Sequence, residues 1–265
     1  QMIGPRRFSE GPRPKLVLMS ATLCPQFPKY FEEEWEAGYY ATKQSLHIEN
    51  VNREEKQRPD RTIEYWRFQG KPFNDECVDA IKQLKTKYVD KECARLKTAK
   101  NGNILVFLPS VASIKYVADK LWKWRHNGTN PYPRAAYTDS TQVDKNPLII
   151  QLHGQCEPWV RDLVQREDLK GRVILATNIV ESGITISNLV AAVDSCLQKN
   201  KMEFENASSL MECYATKSAL TQREGRVSRG EINAPGGGMV IRMIDENVYE
   251  RLPCPTAPPQ VLLTN

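Results

Sequence analysis

The chain has 265 residues, of which 40% are hydrophobic and 26% are charged, and this composition is typical of a soluble globular protein. Its mean hydropathy is −0.53, and no apolar run approaches the roughly 18 residues that a membrane-spanning helix needs. Residues 1–14 are basic and rich in proline, without the apolar core of a signal peptide. We therefore expect an intracellular protein, cytoplasmic or nuclear, without a membrane partner.

The seven cysteines and three histidines are scattered along the chain, and no CxxC pair occurs. An odd number of dispersed cysteines indicates reduced thiols rather than a disulfide framework. So few histidines also argue against a metal centre. The formal net charge of +5 is compatible with a nucleic-acid partner, although it is too small to establish one.

Short apolar runs alternate with amphipathic segments along most of the chain. The apolar runs predict buried strands over 15–19, Thr62–Trp66, Ile104–Leu108, Leu148–Leu152, Gly171–Thr177, Leu189–Asp194 and Met239–Ile244. The amphipathic segments predict helices over Pro25–Gly38, Phe73–Lys97, Val111–Trp124, Glu157–Gln165 and Thr216–Arg229. This alternation is typical of a parallel sheet covered on both faces, so the predicted fold class is α/β. Polar–apolar alternation over Cys196–Tyr214 predicts an inserted β-hairpin.

Residues 222–230, with the sequence QREGRVSRG, concentrate arginines on a predicted helix. On a helix, Gln222, Arg226 and Arg229 would share one face. Arginine carries a planar fork of donors that matches phosphate oxygens, and such side chains can meet the charge on a transferring γ-phosphoryl group. Gly225 removes a side chain where another group must approach closely. Taken alone, the segment is equally well interpreted as a solvated basic helix.

Five segments together resemble the motifs of superfamily 2 helicases of the DEAH/DExH type. QREGRVSRG resembles the sixth motif, QRxGRxGR, and Ala176–Ile186 resembles the fifth, ATNIAETSLTI. Residues 19–22 resemble the third motif, and Ile104–Pro109 resembles the fourth. Residues 152–154 resemble the short segment between the fourth and fifth motifs. Each motif is weak alone, but five in the helicase order, spread from about Pro14 to the C terminus, are a specific signal.

The resemblance implies a RecA-like parallel sheet flanked by helices in an ATP-dependent RNA helicase. ATP and Mg²⁺ are the implied cofactors, and RNA and a first RecA-like domain of the same chain are the implied partners. The implied site residues are catalytic Gln222, Arg226 and Arg229; nucleotide-binding Gly183, Thr185 and Gly225; RNA-binding Ser110, Thr177 and Asn178; and, for interdomain coupling, Ser20 and Thr22. A helix N-cap is an equally good role for Ser110, and Arg223 is expected to form a structural or interdomain ion pair.

Some positions depart from the family pattern. Ser228 stands where the family usually has glycine, and Ser187 stands where many members have aspartate. Val164 and Gln165 occupy the neighbourhood of an aromatic residue that stacks on adenine in many members, and Trp159 is the nearest aromatic residue. Adenine stacking is therefore in question, whereas the arginine face is intact.

The sequence contains no GxxxxGK(S/T) phosphate loop and no DEAH or DExH tetrad. In the family, those motifs lie in the first RecA-like domain and hold magnesium and the β- and γ-phosphates. We therefore expect a segment of a longer protein that does not hydrolyse ATP alone. The expected organisation is the end of a first RecA-like domain with a linker over 1–55, a second RecA-like domain over 56–252, and the lead-in to a winged-helix domain over 253–265.

Other functions stay open at this point. One is a viral DExH helicase of the flavivirus or potyvirus type, because its fifth and sixth motifs are similar. Another is a degenerate helicase-like module that binds RNA or protein without turnover, for which Ser187 and Ser228 are the main support. A dinucleotide-binding enzyme would share the α/β pattern, but the sequence has no GxGxxG.

Overall fold

The computed structural model describes residues 61–95, 102–125, 149–166, 171–181, 184–204, 207–228 and 234–253. These residues belong to one compact unit, Gln57–Cys254. The strand predicted over 15–19, the helix predicted over Pro25–Gly38 and the coupling residues Ser20 and Thr22 lie outside the described residues.

A parallel sheet of six strands forms the centre of the unit. The strands are β1 (Thr62–Tyr65), β2 (Asn103–Phe107), β3 (Ile149–Leu152), β4 (Val173–Ala176) and β5 (Leu189–Asp194), together with β8 (Met239–Arg242); β6 (Leu197–Phe204) and β7 (Ala207–Tyr214) form a separate hairpin. The sheet order is β1-β8-β5-β2-β4-β3, and every neighbouring pair is parallel. The predicted strands therefore all form where the structure describes them.

Helices cover both faces of this sheet, as the sequence predicted. They are α1 (Phe73–Gln83), α2 (Val111–Arg125), α3 (Pro158–Gln165), α4 (Lys217–Glu224) and α5 (Glu246–Glu250). Ile104 and Val106 of β2 belong to one core with α1 and α2, whereas Leu105 and Phe107 belong to a second core with α3. Successive residues of a strand point to opposite faces, and β2 is buried on both, which explains its unbroken apolar sequence.

The hairpin of β6 and β7 is antiparallel, with Leu197 opposite Tyr214 at its base. The hairpin predicted over Cys196–Tyr214 is therefore confirmed. On β7, the large apolar side chains of Leu210, Met211 and Tyr214 are exposed. The hairpin follows β5 directly and returns the chain to α4.

The helix predicted over Phe73–Lys97 is helical as far as the described residues reach, to Arg95, but it is α-helical only to Gln83. A π-helical stretch, Leu84–Glu92, follows α1 and leads into a short 3₁₀ turn, Cys93–Arg95. The wider turns of the π-helical stretch keep Leu84, Tyr88 and Val89 buried together. The Tyr88 hydroxyl donates to the Pro235 carbonyl at 2.6 Å, and this distant contact is invisible to local periodicity.

The helix predicted over Thr216–Arg229 is wrong beyond Glu224. After Glu224 the backbone tightens, because the amide of Val227 donates to the carbonyl three residues earlier at 3.0 Å. Ser228 then adopts a left-handed φ of 53°, and its amide donates to Leu189 at the start of β5 at 2.8 Å. Arg226 therefore lies in a turn rather than on the same helix face as Gln222.

Candidate functional site

Polar residues gather where β2, β3 and β4 end, and we call this region the carboxyl edge. Ser110, His153 and Thr177 follow these three strands. The strands are parallel and in register, with Ala176 opposite both Phe107 and Leu152. Open α/β sheets bind ligands at the carboxyl ends of their strands, so the chain topology alone brings these side chains to a plausible binding surface.

Ser110 caps the helix that leaves the carboxyl edge. Its Oγ accepts a hydrogen bond from the Ser113 amide at 3.1 Å and lies 2.9 Å from the Ser113 Oγ. This geometry satisfies an amide at the start of α2, so the N-cap role predicted for Ser110 is confirmed. A contact between Ser110 and RNA stays a prediction.

Thr177 and Asn178 continue the carboxyl edge beyond β4. The Thr177 amide donates to the Leu152 carbonyl at 3.3 Å, which fixes the residue beside the end of β3. Thr177 is half-buried, and Asn178 is exposed at the start of a 3₁₀ turn, Asn178–Glu181. Helix α4 packs beside this turn. The segments that resemble the fifth and sixth motifs are therefore neighbours in the fold.

His153 follows β3 and is half-buried at the carboxyl edge. Its Nδ1 accepts a hydrogen bond from the Gln155 amide at 3.3 Å. Burial, and then the positive charge of Lys115, lower the pKa of the imidazole below its usual value. Both effects favour the neutral form of the imidazole.

A buried ion pair anchors α4 to the end of β5. Arg223 Nη1 lies 3.0 Å from Asp194 Oδ1, and the two side chains are 1% and 3% exposed. The same Nη1 lies 3.3 Å from the Leu197 carbonyl, and the guanidinium lies 5.2 Å from the Phe107 ring centroid. The pair lies within one unit, so Arg223 has the structural role that the sequence predicted.

The next residue of α4 forms a second pair, with Arg242 at the end of β8. Burial raises the pKa of Glu224 above its usual value, although the charge of Arg242 opposes the rise. Arg242 is held in turn by two tyrosines: its Nη1 donates to the Tyr65 hydroxyl at 3.2 Å, and its guanidinium lies 4.1 Å from the Tyr249 ring centroid. Consecutive residues of α4 are thereby fixed to adjacent strands.

The turn that follows α4, residues 225–228, carries Arg226 and is called here the arginine turn. Arg226 Nη1 donates to the Ile184 carbonyl at 3.0 Å. Arg226 also lines a small cavity together with Thr185, Ile186 and Leu189. The structure thus brings two predicted site residues, Arg226 and Thr185, side by side. Gln222, a third, is exposed on α4.

Two glycines near the arginine turn have different roles. Gly225 has an ordinary helical φ of −58°, and a Cβ there would lie 3.2 Å from carbonyl oxygens of its own helix. The neighbours of such a Cβ are thus backbone atoms of the chain, and a contact between Gly225 and a nucleotide stays a prediction. Gly238 has φ of 102°, and its Cβ would lie 2.6 Å from Ser228 Oγ and 2.4 Å from Val227 Cγ1. Gly238 lets β8 begin against the arginine turn.

Other predicted positions are less informative. Gly183 and Arg229 lie outside the described residues. Trp159 packs against the core on the α3 side of the sheet, and Val164 is fully buried in the same core. The side chain of Val164 is thus part of the protein interior.

Sequence reasoning missed the partners that hold α4. Asp194 and Arg242 each end a strand that is otherwise apolar, and both are buried. A charge at the end of a buried strand needs a compensating partner, so the signal was present in the sequence. The identity of those partners, Arg223 and Glu224, depends on the packing of α4 across the strand ends.

The described part of the chain contains no group of three or more His, Cys, Asp or Glu residues that could hold a metal ion. Within the same ranges, no helix is both long and apolar enough to cross a membrane.

A parallel sheet with helices on both faces defines a RecA-like α/β domain, and its arginine turn lies against the starts of β5 and β8. Residues 84–231 match the family described as the helicase conserved C-terminal domain. This match covers more than half of the chain, and the chain belongs to that family.

Relatives and solved structures agree with this assignment. The chain is 32% identical over 163 residues to the DExH-box ATP-dependent RNA helicase DExH6 of Arabidopsis thaliana, covering 59% of this chain and 11% of the relative. It is 26% identical to the probable ATP-dependent RNA helicase spindle-E of Culex quinquefasciatus, covering 94% of this chain and 18% of the relative. The chain therefore spans between about a tenth and a fifth of the length of these relatives.

The crystal structure of the E. coli DExH-box NTPase HrpB has the same fold, with a TM-score of 0.54 at 20% identity, covering 75% of this chain and 21% of that chain. Together with the family match, this confirms the predicted resemblance: the chain contains the C-terminal domain of a superfamily 2 DExH helicase. These matches favour neither the viral helicase nor the module without turnover.

Proposed function

We propose that this chain is the second RecA-like half of an ATP-dependent RNA helicase, and that it brings arginines to ATP and grips the RNA backbone. The observation that carries the proposal is the hydrogen bond from Arg226 Nη1 to the Ile184 carbonyl, at 3.0 Å. This bond joins the segment that resembles the sixth motif to the segment that resembles the fifth. It also places a guanidinium beside the exposed Thr185.

The polar groups at this junction fit a phosphate ligand. Arg226 offers a guanidinium, Thr185 a hydroxyl and Gln222 an exposed amide side chain. These three residues lie on two adjoining segments. ATP supplies a γ-phosphoryl group whose oxygens gain charge as it is transferred to water. Arg226 and Arg229 stabilise that charge and Gln222 orients the water. Backbone near Gly183 and Gly225, with the Thr185 hydroxyl, lines the nucleotide site.

The anchoring of α4 supports this role for the arginine turn. Electrostatic catalysis requires donors that are already oriented before charge develops. The buried pair of Arg223 with Asp194, and the pair of Glu224 with Arg242, fix the helix that leads into the turn. Because α4 is held at two consecutive residues, the backbone at Arg226, two residues after Glu224, has little conformational freedom.

The carboxyl edge supplies the RNA grip. Ser110, Thr177 and Asn178 offer hydroxyl and amide groups that hold phosphate oxygens without reading base sequence. Because α4 packs beside the turn that begins at Asn178, these RNA-binding residues and the arginine turn form one packed body. Ser20 and Thr22 couple this body to a first RecA-like domain of the same protein, which holds Mg²⁺ and contributes the phosphate loop that this sequence lacks.

The test is RNA-stimulated ATP hydrolysis by the full-length protein. Arg226→Ala and Arg229→Ala should each lower kcat by roughly 10³-fold, because each removes an arginine that neutralises transition-state charge. RNA affinity should be retained, since the carboxyl edge is untouched. Arg161→Ala, at an exposed arginine of α3, is the matched control and should turn over normally.

Unchanged turnover in both arginine variants would overturn the catalytic assignment. A full-length protein that binds RNA but never hydrolyses ATP would instead establish the alternative without turnover.

A further inference from the structure

Arg61 makes a contact with a residue far along the sequence. It immediately precedes β1 and is partly buried. Its Nε donates to the Val227 carbonyl at 3.0 Å, across 166 positions of sequence. Val227 is the residue directly after Arg226, so Arg61 holds the backbone of the arginine turn. Arg61 lies outside residues 84–231, which match the helicase family, and no motif of the sequence includes it.

The arginine turn needs to be held because its conformation is strained. Ser228 has a φ of 53°, and an L-residue in the left-handed region costs about 1–2 kcal/mol. Its Oγ is buried and has no hydrogen-bond partner within the described ranges. Strained backbone persists only where surrounding contacts over-determine it. Around this turn those contacts are Ser228 to Leu189, Arg226 to Ile184 and Arg61 to Val227.

Arg61 also acts on the electrostatics of α4. Burial raises the pKa of Glu224, and the charges of Arg242 and Arg61 oppose that rise. Arg61 thereby favours the carboxylate form of Glu224, the form that pairs with Arg242. One side chain therefore contacts the arginine turn directly and supports the ion pair at the end of the preceding helix.

We propose that Arg61 is a positioning residue for Arg226 in ATP hydrolysis. It acts by fixing the Val227 carbonyl, so that the guanidinium of Arg226 is held in the orientation that the reaction needs. An arginine is required because its Nε–H is part of a rigid planar fork, whereas a lysine ammonium is a mobile point charge. This inference rests on the proposed function of Arg226.

Kinetics of the full-length protein test the inference. Arg61→Ala should lower kcat for RNA-stimulated ATP hydrolysis by about tenfold while KM for ATP changes less than twofold, because misplacing a catalytic group affects the transition state most. Arg61→Lys should recover only part of the loss. In an Arg226→Ala background, Arg61→Ala should cause no further loss, because the two residues act as one unit. Arg67→Lys, at an exposed arginine just past β1, is the control.

Amide hydrogen exchange separates this inference from the proposed function. In Arg61→Ala, exchange at the amides of residues 226–228 should be faster by about tenfold, because a hydrogen bond from a charged donor has been lost. Unchanged exchange would overturn the positioning role, as would a fully additive loss in the double variant or an equal loss in Arg67→Lys. If the wild-type protein hydrolyses no ATP, the proposed function fails, and the exchange measurement still decides whether Arg61 holds the turn.

Discussion

The buried pair between Arg223 and Asp194 makes the firmest stability prediction. Substituting Asp194→Asn keeps the size of the side chain and an oxygen that can accept from the Cys196 amide, a contact of 2.8 Å in the structure. It removes the charge that faces Arg223 Nη1 at 3.0 Å, at a site where the two side chains are 3% and 1% exposed. Asp194→Asn therefore removes a buried counter-charge from an arginine in the protein interior.

Breaking one partner of a buried ion pair costs about 3–5 kcal/mol, because the remaining charge stays desolvated. In a unit of this size, 1 kcal/mol shifts Tm by about 2–4 °C, so Asp194→Asn should lower Tm by about 10 °C. Scanning calorimetry and urea unfolding of this chain measure the loss. Replacing both charges, as in Asp194→Asn with Arg223→Met, should recover most of it, since a neutral pair needs no counter-charge and the asparagine oxygen can still accept from the Cys196 amide.

The matched control is Asp119→Asn. Asp119 pairs with Lys123 on α2, and the two side chains are 45% and 49% exposed. Exposed pairs of this kind contribute well under 1 kcal/mol, so Tm should hardly change. If Asp194→Asn were as mild as Asp119→Asn, the reasoning about a desolvated charge would be refuted. A double variant less stable than the sum of the singles would refute the account of its rescue.

The remaining predictions concern strain and protonation. Ser228→Gly should raise the free energy of unfolding by about 0.5–1 kcal/mol, because glycine adopts the left-handed φ without strain; a loss in urea unfolding would contradict this. Gly238→Ala should lower the free energy of unfolding by more than about 1 kcal/mol, because φ at this residue is 102° and the added Cβ would lie 2.4 Å from Val227 Cγ1. An unchanged free energy of unfolding would mean that the arginine turn shifts to make room for the methyl group. The lowered pKa of His153 means that the unfolded state binds more protons than the folded state just below about pH 6.5. The free energy of unfolding of the wild type should therefore fall relative to that of His153→Gln as the pH drops below about 6.5. Parallel pH profiles of the two proteins would contradict this prediction.

The elements of the sheet could be predicted from sequence because their signal is local. Strand β2 is buried on both faces, so its five residues are apolar or, at Asn103, hydrogen-bonded through both the amide nitrogen and the amide oxygen. The N-cap of α2 at Ser110 was equally visible, because a serine before an amphipathic run satisfies an amide of the first turn. The motifs then identified the helicase family, since they combine such local patterns in a fixed order.

The ends of two helices could not be predicted, because distant contacts set them. Helix α1 gives way to a π-helical stretch whose Tyr88 bonds to Pro235, far along the chain. Helix α4 ends at Glu224, and the amide of Ser228 then bonds to Leu189. In both places the local sequence would continue as an α-helix. A hydrogen bond to a residue that is distant in sequence and near only in the fold favours the observed backbone conformation instead.

The sequence by itself determined the α/β class, the strand positions and the segments that carry the candidate site. Hydrophobic burial depends on composition and period, and both can be counted along the chain. Only the tertiary structure decided how Arg226 is placed, because a guanidinium is oriented by what it touches. Ile184 holds its head group and Arg61 holds the carbonyl beside it. The buried charges of Asp194 and Arg242 fix the preceding helix, and none of these partners adjoins Arg226 in sequence.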